Sequence, residues 1–379
     1  MKIEKITLTD EFNEGFYDLT NELISKGFNP YFDFKNLAPI IVDLTTNLLA
    51  KNDANFLNLI KNYKDGNRTP AILILNGPQE TKESLVGAPF YDLTYDYGNN
   101  PKARGKKGLT SELFQLAIGS LLGHQIYPDP HDHGGNKAFQ IISPRNSKED
   151  TSSSLSTNLF QWHIENQYGH SFSESEIDDF IKNCDFISTS KFLNDYNYTL
   201  QNLKNGLLRA VKQEISSLIL SGVVNSYSPT SILTADVLKD YIILHLGEAA
   251  LILLSQMNIA FFTGASQVDE PPTIGYMGKI FDLDGNHNII NMRMNMAENR
   301  MAYLGNDNYE KELFNKFIYL ITNSKDLGEN IILKPGMYIF LNNRLTAHKR
   351  DPIDPRDFKT PLEEQKLNEV RILVRSYWK

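Results

Sequence analysis

Two stretches near the C-terminus, NIILKPGMYIFLNNRLTAHKRDP at 330–352 and VRILVRSYW at 370–378, decide how this chain folds. The first reads as strand, Pro-Gly turn, strand, a second turn at Asn342-Asn343-Arg344, and then His348. The second alternates with period two, the signature of a strand. Arg371, Leu373, Arg375 and Tyr377 fall on one face of it, and Ile372, Val374, Ser376 and Trp378 on the other. Two arginines on one face of an otherwise apolar strand are costly to bury unless they meet partners. A guanidinium fork fits a carboxylate better than any other side chain. Along an extended strand, Arg375 lies about 13 Å beyond Arg371.

Working outward, strand and turn signals continue upstream to residue 258, through NIAFFTG and YMGKIFDLDG. Residues 10–65 instead carry apolar residues every three or four positions, as helices do. TPAILILNG at 69–77 reads as a strand and LTSELFQLAIGSLLG at 109–123 as an amphipathic helix. AFQIISP at 138–144 reads as a strand, and RNSKEDTSSSLSTN at 145–158 as a loop. Residues 175–225 read as mostly helical, LKNGLLRAVKQEISSLIL most clearly. No internal repeat and no Gly, Pro or Ser-rich linker divides the chain. The expectation is one domain over 1–379, with a helical N-terminal region at 1–68, a helical insertion or lid at 170–257, and most of a β-rich core at 258–379.

Composition bounds the rest. The 379 residues are 41% hydrophobic, enough for a large core. A net charge of -8 and a pI near 5.6 speak against nucleic acid, because phosphate backbones repel an acidic surface. The basic run PKARGKKG at 101–108 reads as a solvated loop. One cysteine, Cys184, permits no internal disulfide. YIILHLGEAALILLSQ at 241–256 is too short and too polar to span a membrane, and no apolar signal core is seen at the N-terminus. A cytoplasmic protein is expected, and a homo-oligomer is compatible with the sequence.

The chemistry begins at FQWHIENQYG, residues 160–169, where His163 and Glu165 are two apart. In a strand such residues share a face. By itself the triplet is weak, since a His and a Glu on a solvated strand face look the same. His348, just past the downstream hairpin, is placed to add a third donor from a neighbouring strand. Two His and one carboxylate suit non-haem iron(II), and leave three coordination positions open. Zinc uses the same donors, so these residues alone leave the metal open. His131 and His133 form another His-x-His pair, in a Pro/Gly-rich loop with no third ligand nearby, and His245 reads as a satisfied core residue.

Together, HIE at 163–165, the KPGMYIFLNNRLTAHKR run and the terminal VRILVRSYW resemble the clavaminate synthase-like branch of 2-oxoglutarate-dependent oxygenases, which includes hydroxylases of free arginine, lysine and asparagine. The resemblance covers roughly 109–169 and 258–379. It implies a double-stranded β-helix (jelly-roll) core with N-terminal and inserted helices, an α+β chain that is mainly β. It implies iron(II) on His163, Glu165 and His348, with 2-oxoglutarate and dioxygen as cosubstrates. Arg371 matches the 2-oxoglutarate arginine, and Thr189 is taken as the Thr or Ser that assists it. Arg375 matches the residue that binds an amino-acid substrate's carboxylate. The stretch 261–285 matches the family's substrate pocket, where Asp282 and Asp284 stand for the acidic residues that meet a cationic side chain. Their other reading is a surface turn. Before Gly134-Gly135 the family often has a Gln for the substrate amine; this chain has Asp132 and His133, either of which could take that place, and His133 is the one assigned to it. Halogenating relatives have a small residue where Glu165 stands, so hydroxylation is implied. The resemblance thus implies a dioxygenase acting on a free amino acid, L-lysine or L-arginine, with succinate and CO2 as co-products. Two alternatives stay open: a non-basic or carrier-bound amino acid or other small carboxylate or sulfonate, and a metal-binding barrel without catalysis.

Overall fold

Period-two apolar segments build two facing sheets, and helical segments cover their outer surfaces. The computed structural model describes residues 3–64, 69–79, 109–128, 138–142, 159–165, 173–175, 178, 215–262, 274–297, 300–305, 307–357 and 371–379. The helices are α1 (Asp10–Ser25), α2 (Phe34–Asn52), α3 (Ala54–Lys64), α4 (Thr110–Leu121), α5 (Ala235–Leu246), α6 (Glu248–Gln256) and α7 (Asn308–Asn323). Among the described residues none is long and apolar enough to cross a membrane.

The larger sheet joins β1 (Glu4–Thr7), β2 (Ala71–Leu75), β14 (Tyr338–Asn342), β6 (Ser217–Val224), β16 (Ile372–Trp378) and β3 (Ile126–Tyr127) in that order, with β4 (Phe139–Ile142) also on β16. The smaller sheet has the order β13 (Glu329–Ile331), β7 (Thr230–Thr234), β15 (Thr346–Arg350) and β5 (Phe160–His163). Two short sheets complete the core. One pairs β10 (Phe281–Leu283) with β11 (Ile289–Met292), and the other orders β12 (Met301–Tyr303), β8 (Ile259–Phe262) and β9 (Ile274–Gly278). This is the expected double-stranded β-helix.

Alternation assigns each side chain to a layer. Ile372, Val374 and Trp378 on β16 pack with Ile219, Phe340 and helices α1–α4 in one buried cluster. Leu373 and Tyr377, on the opposite face, join Leu218, Leu220, Ile339 and Ile232 between the two sheets. A third cluster lies outside the smaller sheet and joins Trp162 and Leu233 to α5, α6, α7 and the short sheets. The interior between the sheets is therefore reached by the Arg371/Arg375 face of β16.

The predicted Pro-Gly turn forms as Lys334-Pro335-Gly336-Met337. Met337 N donates to Lys334 O at 2.9 Å, and Gly336 has φ +78°. A type II turn needs that positive φ at its third residue, which favours glycine. Gly222 serves a different need. A Cβ there would lie 2.0 Å from Leu333 O, so only glycine lets β6 pass beneath this corner.

Three expectations are corrected. Residues 217–224 form β6, a central strand, rather than the end of a helix. Seven of its eight residues are buried, so its apolar run carries no period that separates strand from helix. The region 170–257 is thus not a purely helical insertion: it supplies β6 and β7 to the two sheets, with α5 and α6 following. The helix at 110–121 is present, yet eleven of its twelve residues are buried, so it is enclosed rather than amphipathic. In the C-terminal part, α7 interrupts the strand pattern; its signal was Asp307, whose side chain accepts from Glu310 N at 2.9 Å as an N-cap.

Candidate metal centre

β5 and β15 pair antiparallel with His163 directly opposite His348. This register, set by tertiary pairing, brings the two imidazoles to a centroid separation of 4.2 Å. Strand β5 ends at His163, and Glu165 lies in the following turn rather than on the strand. Its backbone is fixed there by Asn343 of the predicted Asn-Asn-Arg turn. Asn343 Nδ2 donates to Glu165 O at 2.7 Å and to Ile215 O at 2.9 Å, while its Oδ1 accepts from Glu165 N at 3.1 Å. Ile164 N donates to Met294 O, tying the same turn to the segment after β11.

Glu165 Oε1 lies 3.9 Å from His163 Nε2 and 3.7 Å from His348 Nε2. One donor atom from each of the three residues falls within 4.8 Å of the others, the one such group of three among the described residues. His163 Nδ1 lies 2.7 Å from Gln161 O. A carbonyl only accepts, so Nδ1 carries a proton there and Nε2 is the ring nitrogen on the side of Glu165. That Nε2 is buried and has no hydrogen-bond partner. A buried acceptor without a donor is costly, and a divalent cation at this point satisfies it. Burial lowers the His348 pKa to about 4, helped by the charge of His163 and opposed by Glu165. Burial alone raises the Glu165 carboxyl, but Arg375 and the two imidazoles outweigh it and hold the group well below the usual carboxylate range. The set therefore pairs a carboxylate held ionised with a His348 imidazole held neutral, beside a second imidazole nitrogen at His163, and the residues fit an iron(II) ion.

Facing these donors, Arg375 Nη1 donates to Glu165 Oε1 at 2.8 Å, and its Nε donates to Gln140 Oε1 at 2.8 Å. Gln140 sits opposite Arg375 in the β4–β16 ladder. Sequence reasoning missed Gln140, because its only mark was a polar residue inside the apolar strand AFQIISP. Arg371 is 2% exposed, and its Nη2 donates to Thr230 Oγ1 at 3.0 Å. Burial, reinforced by the charge of Arg350, lowers Arg371 to about 9, which leaves it cationic at neutral pH. One cavity between the sheets is lined by Glu165, His348 and Arg375, by Thr230, Arg350 and Arg371, and by apolar Ile142, Phe160, Leu220 and Leu373.

The remaining expected residues fall elsewhere. Asp282 is on β10 and accepts from Arg293 Nη1 at 3.1 Å and Asn291 Nδ2 at 2.9 Å. Asp284 lies beyond that strand, in the β10–β11 turn. Its carboxylate accepts from Asn286 N and Asn288 N, both at 2.9 Å, so it closes the turn. The two aspartates therefore do not share a strand face. Thr189, His131, His133, Cys184 and the 101–108 run lie outside the described residues. His245 is exposed on α5 beside the Tyr241 ring, not in the core, because the surface of the apolar α5–α6 pair extends to it.

No family model matches the chain, and a search of curated proteins finds no match. Solved structures do match. The non-heme iron oxygenase OrfP in complex with Fe and alpha-ketoglutaric acid superposes with a TM-score of 0.63 at 16% identity, over 99% of this chain and 93% of that one. OrfP with Fe, succinate and (3R,4R)-dihydroxy-L-Arg gives 0.62 at 15% identity, over 98% and 93%. Asparagine oxygenase with Fe(II), 2S,3S-3-hydroxyasparagine and succinate gives 0.61 at 12% identity, over 98% and 92%. At these identities the likeness speaks to architecture, and the chain has the fold of these non-heme iron oxygenases.

Proposed function

We propose that this protein is an iron(II)- and 2-oxoglutarate-dependent dioxygenase of the clavaminate synthase-like kind that hydroxylates a C–H bond of a free amino acid. The observation that carries the reading is the convergence of His163 Nε2, Glu165 Oε1 and His348 Nε2 on one point of a cavity that also holds the buried cation Arg371. His163, Glu165 and His348 hold the metal. Bound iron(II) supplies dioxygen activation coupled to decarboxylation of 2-oxoglutarate to succinate and CO2, and with it the oxidising power for hydroxylation. Arg371 receives the distal carboxylate of the keto acid, and its Nε, buried with no partner, has a donor to spare. Thr230 takes the assisting role assigned above to Thr189, because its hydroxyl already touches Arg371. Arg375 reaches the substrate's carboxylate, and Gln140 beside it has amide hydrogens for the same group. The apolar walls exclude water and hold the reacting carbon close to the metal.

OrfP is seen with L-Arg, and asparagine oxygenase with a hydroxyasparagine. For a basic substrate, L-lysine or L-arginine, Asp282 is the acidic residue that the resemblance assigns to the cationic end, although it is not among the residues that line the cavity. A non-basic amino acid is the second reading. It is favoured by the Asp282–Arg293 pair, which already supplies that carboxylate with a cation. The test is the anaerobically loaded iron(II) protein given 2-oxoglutarate, oxygen and a panel of free amino acids, with succinate and hydroxylated products read by mass spectrometry. Coupled succinate and product with lysine or arginine, lost in Asp282→Ala, supports the basic reading. Turnover of asparagine or another neutral amino acid, unchanged in Asp282→Ala, supports the second. No succinate and no 2-oxoglutarate binding overturns the proposal, as does metal retention without oxygen-dependent turnover.

A further inference from the structure

The stretch between His348 and Arg371 contains a buried carboxylate to which sequence reasoning gave no role. Asp357 ends a 3-10 turn (Pro355–Asp357) and is 6% exposed. Its Oδ1 accepts from Ser226 N at 3.3 Å. Its Oδ2 accepts from Tyr227 N at 3.1 Å, Ser228 N at 2.8 Å and Ser228 Oγ at 2.6 Å. These four donors offset the cost of burying the charge. All of them belong to the crossover that leaves β6 at Val224 and enters β7 at Thr230, passing from the larger sheet to the smaller. Further contacts hold the same segment: Asn225 Nδ2 donates to Ser228 O at 3.0 Å, Asp354 N donates to Ser228 Oγ at 3.1 Å, and the Arg356 guanidinium lies 3.9 Å from the Tyr227 ring centre.

Both ends of the crossover reach Arg371. Val224 pairs with Ile372, the next residue after it. Thr230 lines the cavity with Arg371, and its Oγ1 accepts from Arg371 Nη2 at 3.0 Å. The Thr230–Arg371 bond thus spans the two sheets where the crossover joins them, and its geometry depends on the crossover's shape. Asp357 also acts on Arg371 by charge: burial and Arg350 disfavour the cation, and Asp357 favours it.

We infer that Asp357 is a positioning residue for the keto acid: by pinning the β6–β7 crossover it holds the Thr230 hydroxyl on Arg371, and so fixes the direction in which the guanidinium meets the distal carboxylate. This rests on the cosubstrate reading above. Positioning and charge act in opposite directions. A negative charge acting on Arg371 weakens its pull on an anion, so removing that charge by itself tightens binding. Losing the positioning loosens it. The sign of the change in Asp357→Asn therefore separates the two.

The experiment is anaerobic binding of 2-oxoglutarate and of 2-oxopentanoate to the full-length iron(II) protein, followed by calorimetry and by the charge-transfer absorbance of the chelated keto acid. 2-Oxopentanoate keeps the chelating end and replaces the distal carboxylate with a methyl group. Asp357→Asn is expected to weaken 2-oxoglutarate roughly five- to tenfold, with 2-oxopentanoate within about twofold. Ser228→Ala removes one of the four donors. It is expected to weaken 2-oxoglutarate about threefold with the same selectivity, and it carries the test if the Asn variant does not fold. In a Thr230→Val background, Asp357→Asn is expected to add less than about twofold, because its effect runs through the Thr230 hydroxyl. Unchanged or tighter 2-oxoglutarate binding in the Asp357 and Ser228 variants overturns the inference and leaves the cosubstrate reading intact. Equal loss of both keto acids also overturns it, because Asp357 is then structural, as does a full additional loss in the Thr230→Val background. A wild type without preference for 2-oxoglutarate overturns the cosubstrate reading itself.

Discussion

The interior of the β-helix has two chemically opposite regions, one built to attract a cation and the other an anion. At the metal region, His163, Glu165 and His348 bring their donor atoms together, and His163 Nε2 is buried with no hydrogen-bond partner. At the guanidinium region, Arg350 and Arg371 present positive charge with Thr230 between them. The first is assembled largely within the smaller sheet and its adjoining turn. The second needs both sheets, since Arg371 flanks β16 while Thr230 and Arg350 lie on β7 and β15. Arg375 stands where they meet, its guanidinium on Glu165. The difference teaches that burial, which disfavours any charge, is made useful here by keeping the two signs apart on different elements of one cavity.

If the regions are functionally separate, changes in one should leave the other's ligand untouched. The largest effect is expected from His348→Ala, which removes a donor: affinity for iron(II) or manganese(II), read by calorimetry, should fall more than about 100-fold. The metal-induced rise in Tm should vanish with it. Arg371→Gln should do the reverse, weakening 2-oxoglutarate about 10- to 100-fold while metal affinity stays within about twofold. A parallel loss of metal in that variant breaks the comparison. Asn343→Ala tests the turn that carries Glu165. Leaving the Glu165 and Ile215 carbonyls without their donor should cost about 1–3 kcal/mol of unfolding free energy and about tenfold in metal affinity.

The smallest expected effect is in pH. In the metal-free protein His348 has a folded pKa near 4 against an ordinary value of 6.5. A depressed histidine contributes stability that is fully present above 6.5 and is lost as pH falls toward 4. Glu165, also depressed, loses its contribution only below the ordinary carboxylate value. Thermal melts of the metal-free protein should therefore decline between pH 6.5 and 4, and saturating metal, by holding His348 unprotonated in the folded state, should carry the decline on below pH 4. A decline unchanged in His348→Gln assigns the effect elsewhere.

Much of this architecture was legible because its signals are local. The alternation of VRILVRSYW placed Arg371 and Arg375 on one face, and the Pro-Gly pair marked a turn whose glycine has φ +78°. β6 was not legible: SLILSGVV is buried on both faces, and a strand without a polar face has no period to read. The same limit hid α4's enclosure, since burial is a property of neighbours. At the site, the spacing of His163 and Glu165 suggested a shared strand face, whereas the strand ends at His163 and Asn343 sets Glu165 from 178 residues away. Asp284 looked like half of an acidic pair because a turn-closing aspartate and a ligand-binding one have the same local sequence.

The sequence by itself determined the donor types, the two-residue spacing of His163 and Glu165, and the four-residue spacing of Arg371 and Arg375, since covalent order imposes these. Only the tertiary structure decided that His163 faces His348, that Thr230 touches Arg371, and that Arg350 shares their cavity. Those relations depend on strand register and sheet stacking between segments far apart in the chain, and packing energy rather than local periodicity selects them.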